Sequence, residues 1–125
     1  MQLEQYDHII LLAHGSSDPR WKIPFEQLLA RVTGVVSEDK VTLAYMELCK
    51  PSIEDVLAIL PPETANIAVF PLFFAQGRHL RVDVPKQLEE LNTEQRTLTL
   101  LNPIGDDPEV VSAMEKAITS KLTDD

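Results

Sequence analysis

Four short apolar runs alternate with stretches of helical periodicity along the whole chain, and this alternation restricts the fold more than any other feature. The runs are "HIILLA" (8–13), "VTLAYM" (41–46), "NIAVFPLFF" (66–74) and "TLTLLNP" (97–103). Each is short, rich in β-branched and aromatic residues, and bounded by polar or turn-forming residues, as expected of a buried strand. Between and after them lie "PFEQLLARVTGVVSE" (24–38), "PSIEDVLAIL" (51–60), "DVPKQLEELNTEQ" (83–95) and "DDPEVVSAMEKAITSKL" (106–122). Their apolar residues recur at helical spacing, for example Phe25, Leu28, Leu29, Val32 and Val36, and a proline stands near each start. The order β-α-β-α-β-α-β-α predicts an α/β fold: a four-stranded parallel sheet with helices on both faces, joined by right-handed crossovers, in a three-layer α/β/α arrangement. No linker and no longer repeat interrupts it, so residues 1–125 are expected to form a single domain.

A chain of 125 residues buries roughly two thirds of the surface its unfolded form exposes, enough for one core. The longest apolar run, "IILLA" (9–13), is far below the roughly 20 residues needed to span a bilayer, and "MQLEQYD" carries no basic leader. No membrane partner and a cytoplasmic location are expected. The lone cysteine, Cys49, excludes an internal disulfide and a cysteine-rich zinc module, and is expected to behave as a small half-buried apolar residue. A net charge of −9 argues against nucleic acid as a partner, because that binding depends on neutralising phosphates with lysine and arginine.

In open parallel sheets ligands bind beyond the carboxyl ends of the strands. The residues that emerge there are His14, Gly15, Ser16 and Ser17 after the first strand, Glu47 after the second, and Gln76, Gly77, Arg78 and His79 after the third. Adjacent parallel strands lie about 4.8 Å apart, so His14, Glu47 and His79 can converge although they are distant in sequence. Imidazole and carboxylate together suit divalent iron, cobalt, nickel or zinc, and the absence of a nearby thiolate disfavours a permanent structural zinc site. Imidazole also titrates near neutrality, so either histidine could take up protons. Spacing alone leaves each of the three open to a structural or solvated role. Gly15 permits a tight turn, and Ser16, Ser17 and Asp18 can bond backbone amides or ligand carboxylates. Trp21 reads either as a ligand contact or as a packing anchor. His8, at the opposite end of its strand, is expected to be structural.

The stretches "LLAHGSSDPRW", "YMELCKPSIEDVL" and "VFPLFFAQGRHLRVDVPKQL" resemble the small CbiX-type chelatases, relatives of the sirohydrochlorin ferrochelatases and cobaltochelatases. The resemblance runs in order from about residue 8 to 91 and more loosely to the end. It rests on His14-Gly15-Ser16, on Glu47 before Pro51-Ser52-Ile53, on Pro71-Leu72-Phe73, on Gly77-Arg78-His79 and on Asp83-Val84-Pro85. It implies a chelatase-like fold of flavodoxin-like topology. It also implies a lyase that inserts a divalent metal into sirohydrochlorin for cobalamin- or siroheme-type tetrapyrroles, with cobalt the first expectation and iron and nickel the alternatives. His14 and His79 would be metal ligands and proton acceptors, with Glu47 assisting. Ser16, Ser17, Arg20, Gly77 and Arg78 would contact the macrocycle. The partners implied are the tetrapyrrole and the metal ion as substrates, no organic cofactor, and a second copy of the chain in a homodimer that builds the cleft.

Sirohydrochlorin is a polycarboxylate, a poor match to an acidic protein, but the charge is unevenly placed. Segments 14–22, 47–50 and 77–86 carry Arg20, Lys22, Lys50, Arg78, Arg81 and Lys86 against Asp18, Glu47 and Asp83. An edge of that composition can steer an anion. Competing readings are a serine hydrolase, a flavin mononucleotide binder, and a metal- or tetrapyrrole-carrying protein without turnover. The first lacks the second glycine of a Gly-x-Ser-x-Gly elbow. The second leaves Glu47 and His79 unused. The carrier shares every residue with the enzyme.

Overall fold

The computed structural model describes residues 3–74, 77 and 79–123, with the backbone alone for His79 and Leu80. Four strands, β1 (His8–Ala13), β2 (Val41–Tyr45), β3 (Asn66–Pro71) and β4 (Thr97–Leu100), form one sheet in the order β2-β1-β3-β4, and every pair is parallel. This is the expected doubly wound α/β arrangement, with the strand order reversing at β1. The helices are α1 (Ile23–Thr33), α2 (Ile53–Ile59), α3 (Val84–Leu91) and α4 (Pro108–Leu122). A short 3-10 turn, Pro19–Lys22, precedes α1, and another, Ile104–Asp106, precedes α4. Among the described residues, no helix is long and apolar enough to cross a membrane.

Alternation along the strands divides the core between the sheet's two faces. On one face Ile10, Leu12, Ile67, Val69 and Leu98 pack with Ile53 and Val56 of α2 and with Val84 and Leu88 of α3. On the other, Ile9, Leu11, Leu43 and Tyr45 pack with Phe25, Leu29 and Val32 of α1. All six residues of β1 are buried, as a central parallel strand requires.

Element ends depart from the periodicity in ways that local chemistry explains. Helix α2 starts at Ile53 rather than at Pro51 because Ser52 caps it: its Oγ accepts from Asp55 N at 3.1 Å while Ser52 N donates back to the Asp55 carboxylate at 3.0 Å. Pro51, joined to Lys50 by a cis peptide bond, therefore belongs to the preceding loop. Helix α1 stops at Thr33, before Gly34, so Val35 and Val36 lie outside it and are exposed. The stretch before α3, expected to be a loop, includes a π-helical turn, His79–Asp83.

Two polar anchors hold the amino-terminal edge of the sheet. The Asp7 carboxylate accepts from Ala65 N at 3.0 Å and Asn66 N at 2.9 Å, and these bonds hold its pKa below the usual carboxylate value. Buried His8 bonds Asp39 O at 3.1 Å through Nδ1 and Thr42 Oγ1 at 2.7 Å through Nε2. The carbonyl can only accept, so Nδ1 carries the proton and the threonine hydroxyl donates to Nε2. His8 is thus a structural residue, and its burial lowers its pKa.

Candidate functional site

The register of the sheet determines which side chains meet at its carboxyl edge. Ala13 is level with Tyr45, and Leu12 with Pro71. Past the last paired residues the ladder continues: Met46 N donates to Ala13 O at 2.9 Å, and Glu47 N donates to His14 O at 3.2 Å. His14 and Glu47 therefore stand side by side on adjacent chain segments, both exposed beyond the sheet.

Gly15 makes this approach possible. Its φ is +97°, a region that side-chain-bearing residues rarely occupy, and a Cβ there would fall 2.0 Å from Glu47 O. The loop after β1 and the loop after β2 thus touch backbone to backbone at one glycine. The second loop is compact: Cys49 N donates to Glu47 O at 2.9 Å, Leu48 adopts a left-handed φ of 68°, and Tyr45 N donates to Pro51 O at 2.8 Å. Cys49 is half-buried against the α1-side core, as expected.

The His14 ring lies flat on Phe73, with centroids 4.0 Å apart and planes inclined by 19°. Phe73, just beyond β3, is buried, so the imidazole rests on a fixed apolar platform while remaining open to solvent. Sequence reasoning placed Phe73 in the Pro-Leu-Phe stretch without a role; its position two residues past a central strand was the available signal. After it, Gly77 is exposed, and its carbonyl accepts from Arg81 N at 3.0 Å, opening the π-helical turn whose first residue is His79. In the chain this turn follows the carboxyl end of β3, the end of the sheet beyond which His14 and Glu47 also stand. Arg78 lies outside the described residues, as does the His79 side chain. Among the described residues no group of three or more His, Cys, Asp or Glu is gathered tightly enough to hold a metal ion.

The remaining candidates serve the loop after β1. Ser16 Oγ accepts from Asp18 N at 3.1 Å, while Ser17 is exposed. Asp18 caps the 3-10 turn through Arg20 N at 2.9 Å and forms an ion pair with the Arg20 guanidinium at 2.8 Å. The pairing lowers the Asp18 pKa and raises that of Arg20. Lys22 Nζ donates to Lys50 O at 2.9 Å and sits 5.4 Å from the centre of the Tyr45 ring. Two of the cations counted toward a basic edge are therefore engaged in holding loops. Trp21, rather than anchoring the core, is 53% exposed and lines a recess of about 420 Å³ with Asp18, Arg20, Pro24 and Phe25. Leu48 and Phe74 are also exposed in the loops beyond β2 and β3. Among the described residues the edge thus combines the His14 imidazole and the Glu47 carboxylate with several apolar side chains open to solvent.

Residues 8–121 match the CbiX family model. The chain is 29% identical over 122 residues to the sirohydrochlorin cobaltochelatase of Saccharolobus solfataricus, covering 88% of this chain and 91% of that one. It is 30% identical over 118 residues to the protein of the same name from Sulfurisphaera tokodaii, covering 91% and 92%. Among solved structures, a cobalamin (vitamin B12) biosynthesis CbiX protein from Marinobacter aquaeolei VT8 superposes with a TM-score of 0.80 at 40% identity over 92% of this chain and 96% of that one. SirB from Bacillus subtilis, solved with Fe3+, superposes with a TM-score of 0.77 at 23% identity; it shares the fold, and the match spans 95% of this chain but 48% of SirB.

Proposed function

The chain belongs to the CbiX family, and from that membership and the geometry of its sheet edge we propose that it is a sirohydrochlorin chelatase, a lyase that inserts a divalent metal ion into the macrocycle. The observation that carries the reading is the placement of His14, flat on Phe73 and backbone-bonded to Glu47, at the carboxyl edge where the His79 turn also begins.

In this reading the metal is a substrate, held by His14 and His79 with Glu47 assisting, and no organic cofactor takes part. Insertion exchanges protein ligands for pyrrole nitrogens and releases two N–H protons, which the imidazoles and the Glu47 carboxylate accept. The protein contributes position, partial desolvation of the ion and a proton sink. Ser17, Gly77 and Arg78 contact the macrocycle, while Ser16 and Arg20 shape the loop that receives it. The exposed Trp21, Leu48 and Phe74 suit the apolar ring faces. Cobalt is the first metal to test, because two relatives are sirohydrochlorin cobaltochelatases. The setting is the cytoplasm, and two copies together build the cleft.

The test is to mix the protein anaerobically with sirohydrochlorin, add Co²⁺, Fe²⁺ or Ni²⁺ separately, and follow absorbance against a protein-free control. Acceleration that disappears in His14→Ala and His79→Ala chains supports the proposal. Binding of metal and macrocycle without acceleration by any of the three metals overturns it in favour of a carrier.

A further inference from the structure

Leu48, the residue after Glu47, is placed in a way that folding alone does not explain. Its φ is +68°, and among the described residues it is the sole residue other than glycine with a positive φ. Cys49 N donates to Glu47 O at 2.9 Å, so Leu48 is the central residue of a three-residue γ-turn, and its positive φ makes this the rare, strained hand of that turn. In this region the Cβ of an L-residue crowds the following carbonyl, which is why glycine, and after it asparagine or aspartate, usually stands there. A leucine is the outlier.

The turn is clamped from both sides. Glu47 N donates to His14 O at 3.2 Å, and Glu47 O lies against Gly15, where a Cβ has no room. On the other side Cys49 packs on the α1-side core, Lys50 O accepts from Lys22 Nζ at 2.9 Å, and Tyr45 N donates to Pro51 O at 2.8 Å. Backbone strain persists where the surroundings fix it in this way, and it gathers at functional sites. The clamp accounts for the shape of the turn, but a glycine would adopt that shape without strain.

The side chain adds a second cost. Leu48 is 67% exposed and belongs to neither core cluster, so neither face of the sheet gains from it. Leucine thus brings both backbone strain and apolar surface in water to a position where glycine brings neither. Exposed apolar residues scattered singly need no explanation, but Leu48 is not alone at this edge. Trp21, after β1, and Phe74, after β3, are also exposed. Strands β2, β1 and β3 are neighbours in the sheet, and each is followed by a loop that carries one large apolar side chain in solvent, at the edge where His14 and Glu47 stand. Apolar side chains around a few convergent polar groups are the usual lining of a small-molecule site.

We propose that Leu48 is a macrocycle-contact residue, its strained γ-turn holding the side chain ready-placed for the apolar ring of the tetrapyrrole beside Glu47. The identity of the ligand rests on the chelatase reading. What the strain supplies is preorganisation: a contact already fixed in its bound form loses little loop entropy when the ligand arrives. An apolar isobutyl group recognises the ring system and not the carboxylates at its periphery, so Leu48 complements the basic residues of the edge without duplicating them.

The test is a metal-free absorbance titration of the full chain with sirohydrochlorin, alongside thermal unfolding. Leu48→Gly relieves the strain and removes the side chain, Leu48→Ala removes the side chain but keeps the strain, and Leu48→Met keeps an apolar chain of similar volume. Leu48→Gly should unfold at or above the wild-type Tm. Both truncations should weaken sirohydrochlorin binding by about tenfold, the loss expected when most of a leucine side chain is no longer covered by the ligand, while Leu48→Met stays within about threefold of wild type. A Leu48→Gly Tm lower by more than about 3 °C would assign the side chain to the fold and overturn the proposal. Wild-type affinity in both truncations would overturn it as well, and would leave the chelatase reading intact wherever wild type accelerates insertion. Binding by wild type without accelerated insertion, together with the tenfold loss in both truncations, would overturn the chelatase reading and uphold the Leu48 contact. No binding by wild type would overturn both.

Discussion

Replacing Gly15 with alanine tests whether the contact between the His14 and Glu47 loops matters as the geometry says. The added Cβ would fall 2.0 Å from Glu47 O, where real contacts stay beyond 3.0 Å, so backbone must move by about 1 Å. An alanine at φ +97° also costs about 1–2 kcal/mol through its own backbone sterics. Overpacking against a main-chain atom adds about 1–3 kcal/mol. The sum, about 2–5 kcal/mol, is a large share of the roughly 5–15 kcal/mol that holds a domain of this size. It corresponds to a Tm lower by roughly 8–20 °C. Gly77→Ala is the control at the same edge, since its Cβ would meet nothing within 4 Å; its stability should change by less than about 0.5 kcal/mol. Thermal unfolding by circular dichroism measures both. If the Glu47 loop yields instead, the Tm of Gly15→Ala falls less, but Glu47 is displaced and the insertion rate drops. Wild-type Tm together with wild-type insertion rate in Gly15→Ala would refute the reasoning.

Other consequences can be checked with the same protein. Phe73→Leu keeps an apolar residue but removes the flat platform under His14; metal insertion should slow by roughly tenfold, about 1.4 kcal/mol of lost positioning, and an unchanged rate would show that the stack does not position the ring. Arg96 donates to Leu57 O, Leu60 O, Pro61 O and Thr64 O, satisfying the last carbonyls of α2 and the loop after it. Arg96→Ala should therefore cost about 2–4 kcal/mol in urea unfolding, and a loss below about 0.5 kcal/mol would contradict this. Buried His8 has a pKa below the ordinary 6.5, so the unfolded chain binds its proton first as pH falls. Its contribution to stability is complete above about pH 6.5 and declines below it until the folded-state pKa is passed. The urea midpoint of wild type should fall between pH 7.5 and 5 more steeply than that of His8→Gln, and parallel slopes would exclude His8 as the cause.

The parallel α/β architecture was legible because short continuous apolar runs alternate with period-3.6 patterns, and the strand cores came out where the runs stand. Their ends were less legible. Periodicity carried the first helix to residue 38, but it ends at Thr33 and leaves Val35 in solvent. A capping box moved the second helix past Pro51 to Ile53, a signal present in the sequence as Ser52 and Asp55. Strand ends identified His14, Glu47 and the Gly77 loop because topology alone sends such residues to one edge. What could not be read was contact between them. The flat Phe73 beneath His14, the pairing of Arg20 with Asp18 and the Lys22 bond to Lys50 O depend on three-dimensional packing that no spacing encodes.

Those contacts change how the edge can handle charge. The sequence places six basic residues there against three acidic ones, on a chain of net charge −9. Arg20 is paired with Asp18, and Lys22 is committed to a carbonyl, so neither is a free cation waiting for a substrate carboxylate. An exposed pair is worth little in water and its partners separate readily. Arg20 can therefore exchange Asp18 for a substrate carboxylate at small cost, provided that the carboxylate arrives as the loop opens. Lys22, whose ammonium sits over the Tyr45 ring while donating to Lys50 O, has more to lose. If the proposed function holds, the steering of a polycarboxylate macrocycle would fall chiefly to the basic residues that the sequence places on the second and third loops, Lys50, Arg78, Arg81 and Lys86. The first loop, with His14 on its aromatic rest and Gly15 against Glu47, is left to hold the chemistry in place.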